Sequence, residues 1–503
     1  MPSTLRSLFT STAFVLTAAS ASAQVNADQV WSDWMSYAES FGYRMTGSAE
    51  RDGNVLTISG VIVSMGEDNA SASGTVRMDR IVMTEQSDGT VVVDLPAVMP
   101  MEMSVPSDTG GQSRVSMDYR QSGLNIVASG TPDNMRYDYS ADNILVETTG
   151  LEVDGQVLPP EVSSVEVTVE NLSGQSDVSV DSMRRYQQTL QIGSVRYLMT
   201  AADPQTNSKA DISGQWQSVG FEGQTTAPLR AMEATDMDAL LAAGLEGNGT
   251  FTYAANATTF STQSPEGPAN AQIVSGAGSF GIKMGQDGLA YDIRQDDVKA
   301  EISVAQFQMP MNFDIAKSTF NLAVPVRQSD TPDDFAFGFE FQGFTMSDML
   351  WGMFDPNAQL PRNPATIALD LTGKARLLFN LLDPATASSI GPDTTPAEVE
   401  ELDINRLEIA AAGAELTGTG AFAFDNSAGP VPKPQGVIDL KLTGGNALID
   451  KLVATGLLPE DQAMGVRMMM GLLAVPGATP DTLNSKIEIN EQGHVLANGQ
   501  RIQ

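Results

Sequence analysis

The chain has 503 residues, of which 42% are hydrophobic, with 62 acidic and 28 basic side chains, one histidine and no cysteine. The lack of cysteine excludes disulfides, zinc–thiolate centres and cysteine nucleophiles, and a single histidine excludes a multi-histidine metal site. The formal net charge of −34 argues against nucleic acid and against anionic membrane surfaces as partners, because both are polyanions.

The first 23 residues have the pattern of a secretory signal peptide. Arg6 is followed by an apolar stretch from Leu8 to Ala19 and by small residues at 21–23. The stretch is shorter than the ~20 apolar residues that span a bilayer, so cleavage after Ala23 is predicted rather than a retained anchor. We therefore expect an exported, periplasmic protein with no transmembrane segment in its mature chain.

Helical spacing of apolar residues is confined to a few short parts of the mature chain. It predicts helices over residues 27–41, 235–245 and 346–354, and an apolar helix pair over 446–457 and 461–473. Elsewhere apolar and polar residues alternate with period two, which is typical of antiparallel strands that have one apolar and one polar face.

The alternating segments predict a mainly β protein. Clear examples are Val115–Arg120, Met135–Ser140, Val165–Glu170 and Ile438–Thr443. We expect long, curved antiparallel meander sheets, with the few amphipathic helices packed on the apolar face.

The order of helices and strands predicts three blocks in the mature chain. In the first two, at 24–200 and 201–345, a helix introduces a run of strands. The third, at 346–503, mixes strands with the apolar helix pair between residues 446 and 473. Both arrangements of the strands, one continuous sheet or separate domains, are open at this point.

One glycine-rich segment has the spacing of a dinucleotide-binding loop. Gly276–Gly281 fits Gly-x-Gly-x-x-Gly, a motif that needs a following helix to present N–H groups to a pyrophosphate. Alternation continues after this segment instead, and a similar Gly-x-Gly-x-Phe pattern occurs at Gly247–Phe251 and Gly418–Phe422. The repeats predict strand glycines at bulges or bends and no cofactor site.

Motifs for catalytic or metal chemistry are not evident. The Gly-x-Ser-x-Gly and Ser-x-x-Lys motifs are absent, and His494 sits in a turn before a final strand. The methionine-rich helix at 461–473 favours a core or groove lining over a copper(I) site. We expect no catalytic, cofactor or metal site, and a carboxylate-dependent hydrolase remains a distant third hypothesis, because 62 acidic residues do not single out a pair.

The apolar helix pair supplies candidate ligand-binding residues. Those expected to line an apolar groove are Leu448, Leu452, Leu457, Met464, Met468 and Leu472. Because a one-sided sheet must cover its apolar face with helices, a second sheet or a ligand, we expect a non-enzymatic protein that binds a lipid-like ligand in a sheet groove. The alternative is a structural scaffold that binds an envelope protein and has no ligand pocket.

The C-terminal block resembles a known family. Its glycine-and-apolar strand patterns are at Leu407–Ile409, Ala414–Gly420, Gly436–Gly444 and Ile487–Gly499. They are similar to the domain-of-unknown-function family 2125, whose members are exported bacterial envelope proteins. That resemblance implies an envelope role and brings no activity and no site residues. The strand–glycine rhythm also resembles AsmA-like envelope proteins, whose long sheets hold lipid in a groove.

Overall fold

The structure is a computed structural model that describes residues 24–40, 42–66, 72–107, 111–203, 205–229, 237–307, 309–383, 395–427 and 432–503. The predicted signal peptide, residues 1–23, lies outside the described residues. The helices in the described ranges, α1 to α5, are Ala27–Ser40, Met237–Ala242, Asp348–Phe354, Gly445–Ala454 and Glu460–Leu473. The predicted helices are therefore confirmed, and their ends differ from the predicted ones by at most three residues. The predicted helical positions 41 and 235–236 lie outside the described residues.

The described strands all belong to one antiparallel sheet. In chain order, β1 to β27 are Tyr43–Asp52, Val55–Met65, Ser73–Glu85, Val91–Asp94, Val98–Pro106, Gln112–Ser122, Asn125–Thr131, Asn134–Val153, Gln156–Leu158, Ser163–Val180, Met183–Asp203, Ser208–Pro228, Glu246–Tyr253, Ala255–Gln263, Ala269–Ser275, Gly278–Gly285, Gly288–Val304, Met311–Val324, Asp333–Met346, Ala365–Leu377, Ala397–Ala411, Ala414–Asp425, Lys433–Thr443, Val475–Pro476, Thr482–Ile489, Val495–Ala497 and Gln500–Arg501. The prediction of a mainly β, antiparallel protein with few helices is confirmed.

The sheet forks and rejoins twice. One half of β3 pairs with β4 and the other half with β5, and the two arms, β4–β7 and β5–β6, both end on β8. In the same way β12 pairs with β13 and β14, and the arms β13–β16 and β14–β15 both end on β17. Long strands therefore hold two shorter strands end to end, and the sheet widens along the strand direction at each fork.

Pairing continues across the predicted block boundaries. The boundary at 200/201 lies inside β11, which pairs along its length with β12, and the boundary at 345/346 lies at the last residues of β19. One continuous sheet thus joins the three blocks. The division of the chain into three blocks stays a prediction.

A hydrophobic core lies under α1 at one end of the sheet. The helix begins with a reciprocal capping pair, in which Asn26 Oδ1 accepts from the Gln29 N–H and Gln29 Oε1 accepts from the Asn26 N–H. Its inward residues Val30 and Trp31 pack on buried side chains of β2, β3, β4 and neighbouring strands, such as Ile81. Full burial of one such aliphatic side chain contributes about 1.5–3 kcal/mol, so this core holds the first strands together.

Candidate functional site

A row of apolar side chains crosses the sheet from β2 to β23. Residues that are partners on neighbouring strands point to the same face of a sheet, so the row can be followed from partner to partner. Its members are Leu56, Met83, Val93, Ile126, Tyr139, Gly174, Leu190, Phe221, Phe251, Phe280, Ile293, Phe320, Phe339, Leu369, Leu407, Gly418 and Leu440. At about 4.8 Å per strand, the part between Tyr139 and Leu440 is about 58 Å long, measured along the sheet.

A line of left-handed residues runs beside this apolar row. In β10 the apolar positions are odd-numbered before Asn171 and even-numbered after it, and Asn171 has φ 54°. The same change of parity occurs in β12 at Ser218, in β17 at Asp297 and in β19 at Gly343, all with positive φ. A left-handed residue redirects the strand, so the alternation restarts and one face stays apolar on both sides of the line.

Aromatic contacts show that the strand segments on the two sides of the left-handed line share one apolar face. Trp216 precedes the line in β12, yet its ring lies 5.7 Å from that of Phe251, a member of the row beyond the line. On β19, the rings of alternate residues also touch. The ring centroids of Phe337 and Phe339 are 6.1 Å apart, and those of Phe339 and Phe341 are 6.4 Å apart. The apolar face is therefore continuous and rich in aromatic rings.

The strand glycines make room for those rings. A Cβ on Gly249 would lie 2.9 Å from the ring of Phe221, and one on Gly278 would lie 2.2 Å from the Tyr253 hydroxyl oxygen. The structure shows no bulge at Gly249 or Gly278, because neither has positive φ and β13 pairs with β16 without a break. The alternative, a bend at these glycines, stays a prediction. Near Gly418 a bulge does occur, but in the facing strand β21. The segment after Gly276 forms β16, as predicted.

A cleft of about 590 Å³ lies where α1 leaves the apolar face. Five aromatic residues line it, together with aliphatic and methionine side chains from β1, β2, β3 and β10. The aromatic residues are Trp34, Tyr37, Tyr43, Tyr137 and Tyr186. Part of its floor is the row next to the apolar row, in which Tyr137, Ser176 and Gln188 are cross-strand partners.

The polar end of this α1 cleft carries no net charge. Asp33 forms an ion pair with Arg184, and both side chains are less than one tenth exposed. Tyr137 donates a hydrogen bond to Asp33 Oδ2 over 2.6 Å. Burial raises the pKa of Tyr137 far above its ordinary value and the pKa of Tyr186 to about 12, so both phenols stay neutral at physiological pH. Such a cleft suits an uncharged, apolar group.

A second cleft, of about 470 Å³, lies under α5 at the other end of the apolar face. The sheet contributes leucine and isoleucine side chains, among them Leu440, the last member of the row. The helix contributes Gly465, Val466, Met469, Met470 and Leu473. The two clefts are therefore the two ends of one apolar face.

Polar contacts hold the helices above this α5 cleft. Asp481 accepts hydrogen bonds from the backbone N–H groups of Asn446 and Ala447 at the start of α4. These bonds, that of Ala447 first, lower the pKa of Asp481. At the end of α5, the carbonyl of Leu473 accepts from Ser485 Oγ over 2.6 Å and from Asn498 Nδ2 over 3.0 Å. The helix pair is thus attached to the sheet mainly at its two ends.

The six residues predicted to line a groove do not line this cleft. Leu448 and Leu452 are half-buried in α4, and Leu457 is exposed in the link to α5. Met464, Met468 and Leu472 lie on the outer side of α5, where 64%, 72% and 53% of each residue is exposed. Contact of these six residues with a ligand stays a prediction.

The cleft residues Val466, Met470 and Leu473 were missed because α5 is apolar on both sides. They share a face by their spacing of three and four positions. Met464, Met468 and Leu472 share another face by the same rule. Helical periodicity therefore detects two stripes and does not say which one faces the sheet.

Between the two clefts the apolar face is open to solvent. Eight large apolar residues there are between 36% and 46% exposed, namely Phe260, Ile273, Phe280, Ile282, Ile293, Phe341, Ile367 and Ile409. The whole chain exposes 29393 Å², whereas a compact monomer of 53.3 kDa exposes about 18,000 Å². The uncovered face of a single-layer sheet contributes to this difference.

The opposite face carries paired charges. Glu340 in β19 accepts a hydrogen bond from Lys317 in β18 over 2.8 Å. Across the small Ala368 of β20, it accepts another from Arg406 in β21, also over 2.8 Å. These bonds, that of Lys317 first, lower the pKa of Glu340. Ala368 is 2% exposed under these side chains, while its apolar neighbour Ile367 is 46% exposed. The charged face is therefore better covered here than the apolar face.

The residue types considered for chemistry are dispersed. His494 is half-buried in the turn before β26, where its backbone N–H donates a hydrogen bond to Asn490 Oδ1 over 3.0 Å. Within the described ranges, no three acidic or histidine side chains come together as a group that could hold a metal ion. The largest organised feature is thus the apolar face.

The comparisons with known proteins identify a family. The model of the family described as "Uncharacterized protein conserved in bacteria (DUF2125)" matches residues 240–498. The chain belongs to this family. The matched range contains the open part of the apolar face and the α5 cleft, whereas α1 and its cleft precede it.

A search of curated proteins found no match, and the likeness to AsmA-like envelope proteins stays a prediction. Among the described residues, no helix has the length and apolar character needed to cross a membrane.

Proposed function

We propose that this protein is a non-enzymatic, exported periplasmic protein that holds the acyl chains of a lipid-like ligand against its apolar face. The observation that supports the proposal is the apolar row, which starts in the core under α1, runs across an open face and ends under α5. Aromatic, valine and methionine side chains line the α1 cleft, and aliphatic and methionine side chains line the α5 cleft. Charged pairs such as those of Glu340 lie on the other face.

The energetic reason is the cost of leaving this face in water. Covering about 400 Å² of apolar surface gains roughly 10 kcal/mol before the losses of binding are counted. Part of that gain is lost because the ligand and the side chains become ordered. Hydrogen-bonding partners are scarce on this face, so the ligand contributes mainly apolar area. Flexible acyl chains meet that requirement.

Native mass spectrometry of protein purified from cells tests the proposal. We expect the wild-type protein to carry lipid. Phe280→Glu places a carboxylate in the middle of the open face, where ligand contact would desolvate it, and should lower the lipid load at least tenfold. The matched control is Ser279→Glu, which adds the same charge on the other face opposite Arg294, and it should keep the wild-type load.

Two outcomes would contradict the proposal. The first is wild-type protein that is free of lipid in repeated preparations. A protein partner that cross-links at position 280 would then cover the apolar face in place of a ligand. The second is a full lipid load in Phe280→Glu, which would move the ligand away from the apolar row.

A further inference from the structure

Several uncharged polar side chains gather at the second fork of the sheet, inside the open part of the apolar face. Cross-strand pairing places Trp216 opposite Asn256, and it places Tyr253 and Gln295 on either side of Gly278. The rows of these residues run beside the apolar row, and none of them is a lining residue of either cleft. We call six half-buried residues the polar cluster, namely Tyr197, Trp216, Tyr253, Asn256, Thr258 and Gln295.

Hydrogen bonds connect the polar cluster in two short chains. Tyr197 donates to Thr258 Oγ1 over 2.7 Å, and Thr258 donates to Asn256 Oδ1 over 3.2 Å. In the second chain, Gln295 Nε2 donates to the Tyr253 hydroxyl oxygen over 3.2 Å. Each chain therefore uses one polar atom of an amide and leaves the other polar atom of that amide unused.

Three polar atoms of the cluster have hydrogen-bonding capacity left. Among the described residues, nothing accepts a hydrogen bond from Asn256 Nδ2 or Trp216 Nε1, and nothing donates one to Gln295 Oε1. A ligand that covers this part of the face removes the water that these atoms would otherwise bind. It binds more tightly if it supplies both acceptors and a donor, because a buried polar atom without a partner is costly.

The face around the polar cluster is free of charged side chains. In the described strands from β13 to β23, the apolar row and the row of Tyr253 and Gln295 beside it contain no Asp, Glu, Lys or Arg. The short rows of Asn256 and Thr258 contain none either. Charged residues make up 18% of the chain, so composition does not account for this. An ionised head group would find no counter-charge here, and the net charge of −34 adds repulsion for an anion.

A hydroxyl-bearing, uncharged head group meets these conditions. A hydroxyl both donates and accepts, and ester carbonyls accept, so an esterified glycerol matches Gln295 Oε1, Asn256 Nδ2 and Trp216 Nε1. An ionised phosphate or carboxylate only accepts, and it would lie without a counter-charge. A quaternary ammonium neither donates nor accepts, so it would leave the amide and indole N–H groups unpaired.

From these observations we infer that the polar cluster binds the glycerol group of an uncharged glyceride, whose acyl chains lie along the apolar row. This assignment rests on the proposed function, because it names the head-group class of the same ligand. The acyl chains supply apolar area anywhere on the face, whereas the polar cluster fixes the position of the head group and selects its chemistry.

Binding of three probes to the delipidated, full mature chain tests this assignment. Dioleoylglycerol is the uncharged glyceride, and dioleoylphosphatidate has the same chains and esters with a phosphate in place of the hydroxyl. Squalene is a hydrocarbon without polar atoms. Each is offered in neutral detergent micelles, and bound lipid is measured by native mass spectrometry. We expect wild type to bind dioleoylglycerol more tightly than dioleoylphosphatidate by about tenfold or more.

Gln295→Leu removes one polar partner of the head group and keeps the size of the side chain. It should lower the affinity for dioleoylglycerol by about tenfold and leave squalene binding undiminished, which also shows that the variant is folded. Trp216→Phe keeps a ring, removes the indole N–H and should act in the same direction. The matched control is Gln272→Leu, the same substitution at an exposed position of the other face opposite Glu301. It should bind both lipids like wild type.

Three outcomes would overturn the assignment while acyl chains are still bound, so that the proposed function stands. The first is equal binding of dioleoylglycerol and dioleoylphosphatidate by wild type, and the second is undiminished binding of dioleoylglycerol by Gln295→Leu. The third is tighter binding of an analogue with trimethylammonium in place of the hydroxyl, which would make the rings an aromatic cage for a cation. Wild-type protein that binds none of the probes, squalene included, would instead contradict the proposed function and the assignment with it.

Discussion

The two ends of the molecule and its middle use the same apolar face in different ways. Under α1, Ile58, Ile81 and Met83 are 0% exposed and form a core, whereas Phe280 and Ile293 in the middle of the same face are more than one third exposed. The strands alternate alike in both places and belong to one ladder. Coverage by a helix, and not strand pattern, decides whether this face is a core or an open surface.

The largest expected effect concerns the buried ion pair of the α1 end. Asp33→Asn leaves Arg184 charged, buried and without its counter-charge, which should lower the free energy of unfolding by about 3–5 kcal/mol. The control is Asp348→Asn, whose pair with Arg362 is at the surface with Asp348 87% exposed, and it should change the value by about 0–1 kcal/mol. Urea denaturation measures both. Equal effects would mean that α1 is not held by a buried charge pair.

A matched isoleucine pair compares the core with the open face directly. Ile81→Ala removes a fully buried side chain and should cost about 2–5 kcal/mol, because it leaves a cavity. Ile293→Ala removes a side chain that water already reaches and should cost about 1 kcal/mol or less. The same urea experiment applies to both variants. A cost at Ile293 as large as that at Ile81 would show that something covers the middle of the face.

The smallest expected effect tests the charged face and depends on pH. The lowered pKa of Glu340 means that its ionised form stabilises the fold, and Glu340→Gln should cost about 1–3 kcal/mol at pH 7. This contribution is present in full above the ordinary value of 4.5 and is lost as the pH falls through the lowered folded value. Urea midpoints of wild type and variant should therefore converge below pH 4.5. A constant difference down to pH 2 would rule out the ionised carboxylate as the cause.

The glycine repeats show where sequence reasoning reached its limit. The recurrence of Gly-x-Gly-x-Phe correctly indicated strands. What the sequence did not indicate is that Gly249 leaves room for the ring of Phe221 on the neighbouring strand. That contact joins residues from two strands, and no local pattern contains it.

The left-handed positions show the same limit at larger scale. Asn171 and Ser218 lie in different strands, yet they fall on one line across the sheet and keep one face apolar. A strict period of two would place the residues before and after them on opposite faces. The change of parity can be read from the sequence, but the alignment of these positions depends on register.

The sequence by itself determined the mainly β class, the antiparallel pairing, the five helices and the family resemblance, because strand and helix periods are local properties. Only the tertiary structure decided that one sheet joins the three blocks, that the apolar row is continuous, and that Val466 and Met470 rather than Met464 and Met468 face the sheet. The physical reason is that a period shows which residues share a face, while register and helix docking between distant segments decide what that face touches.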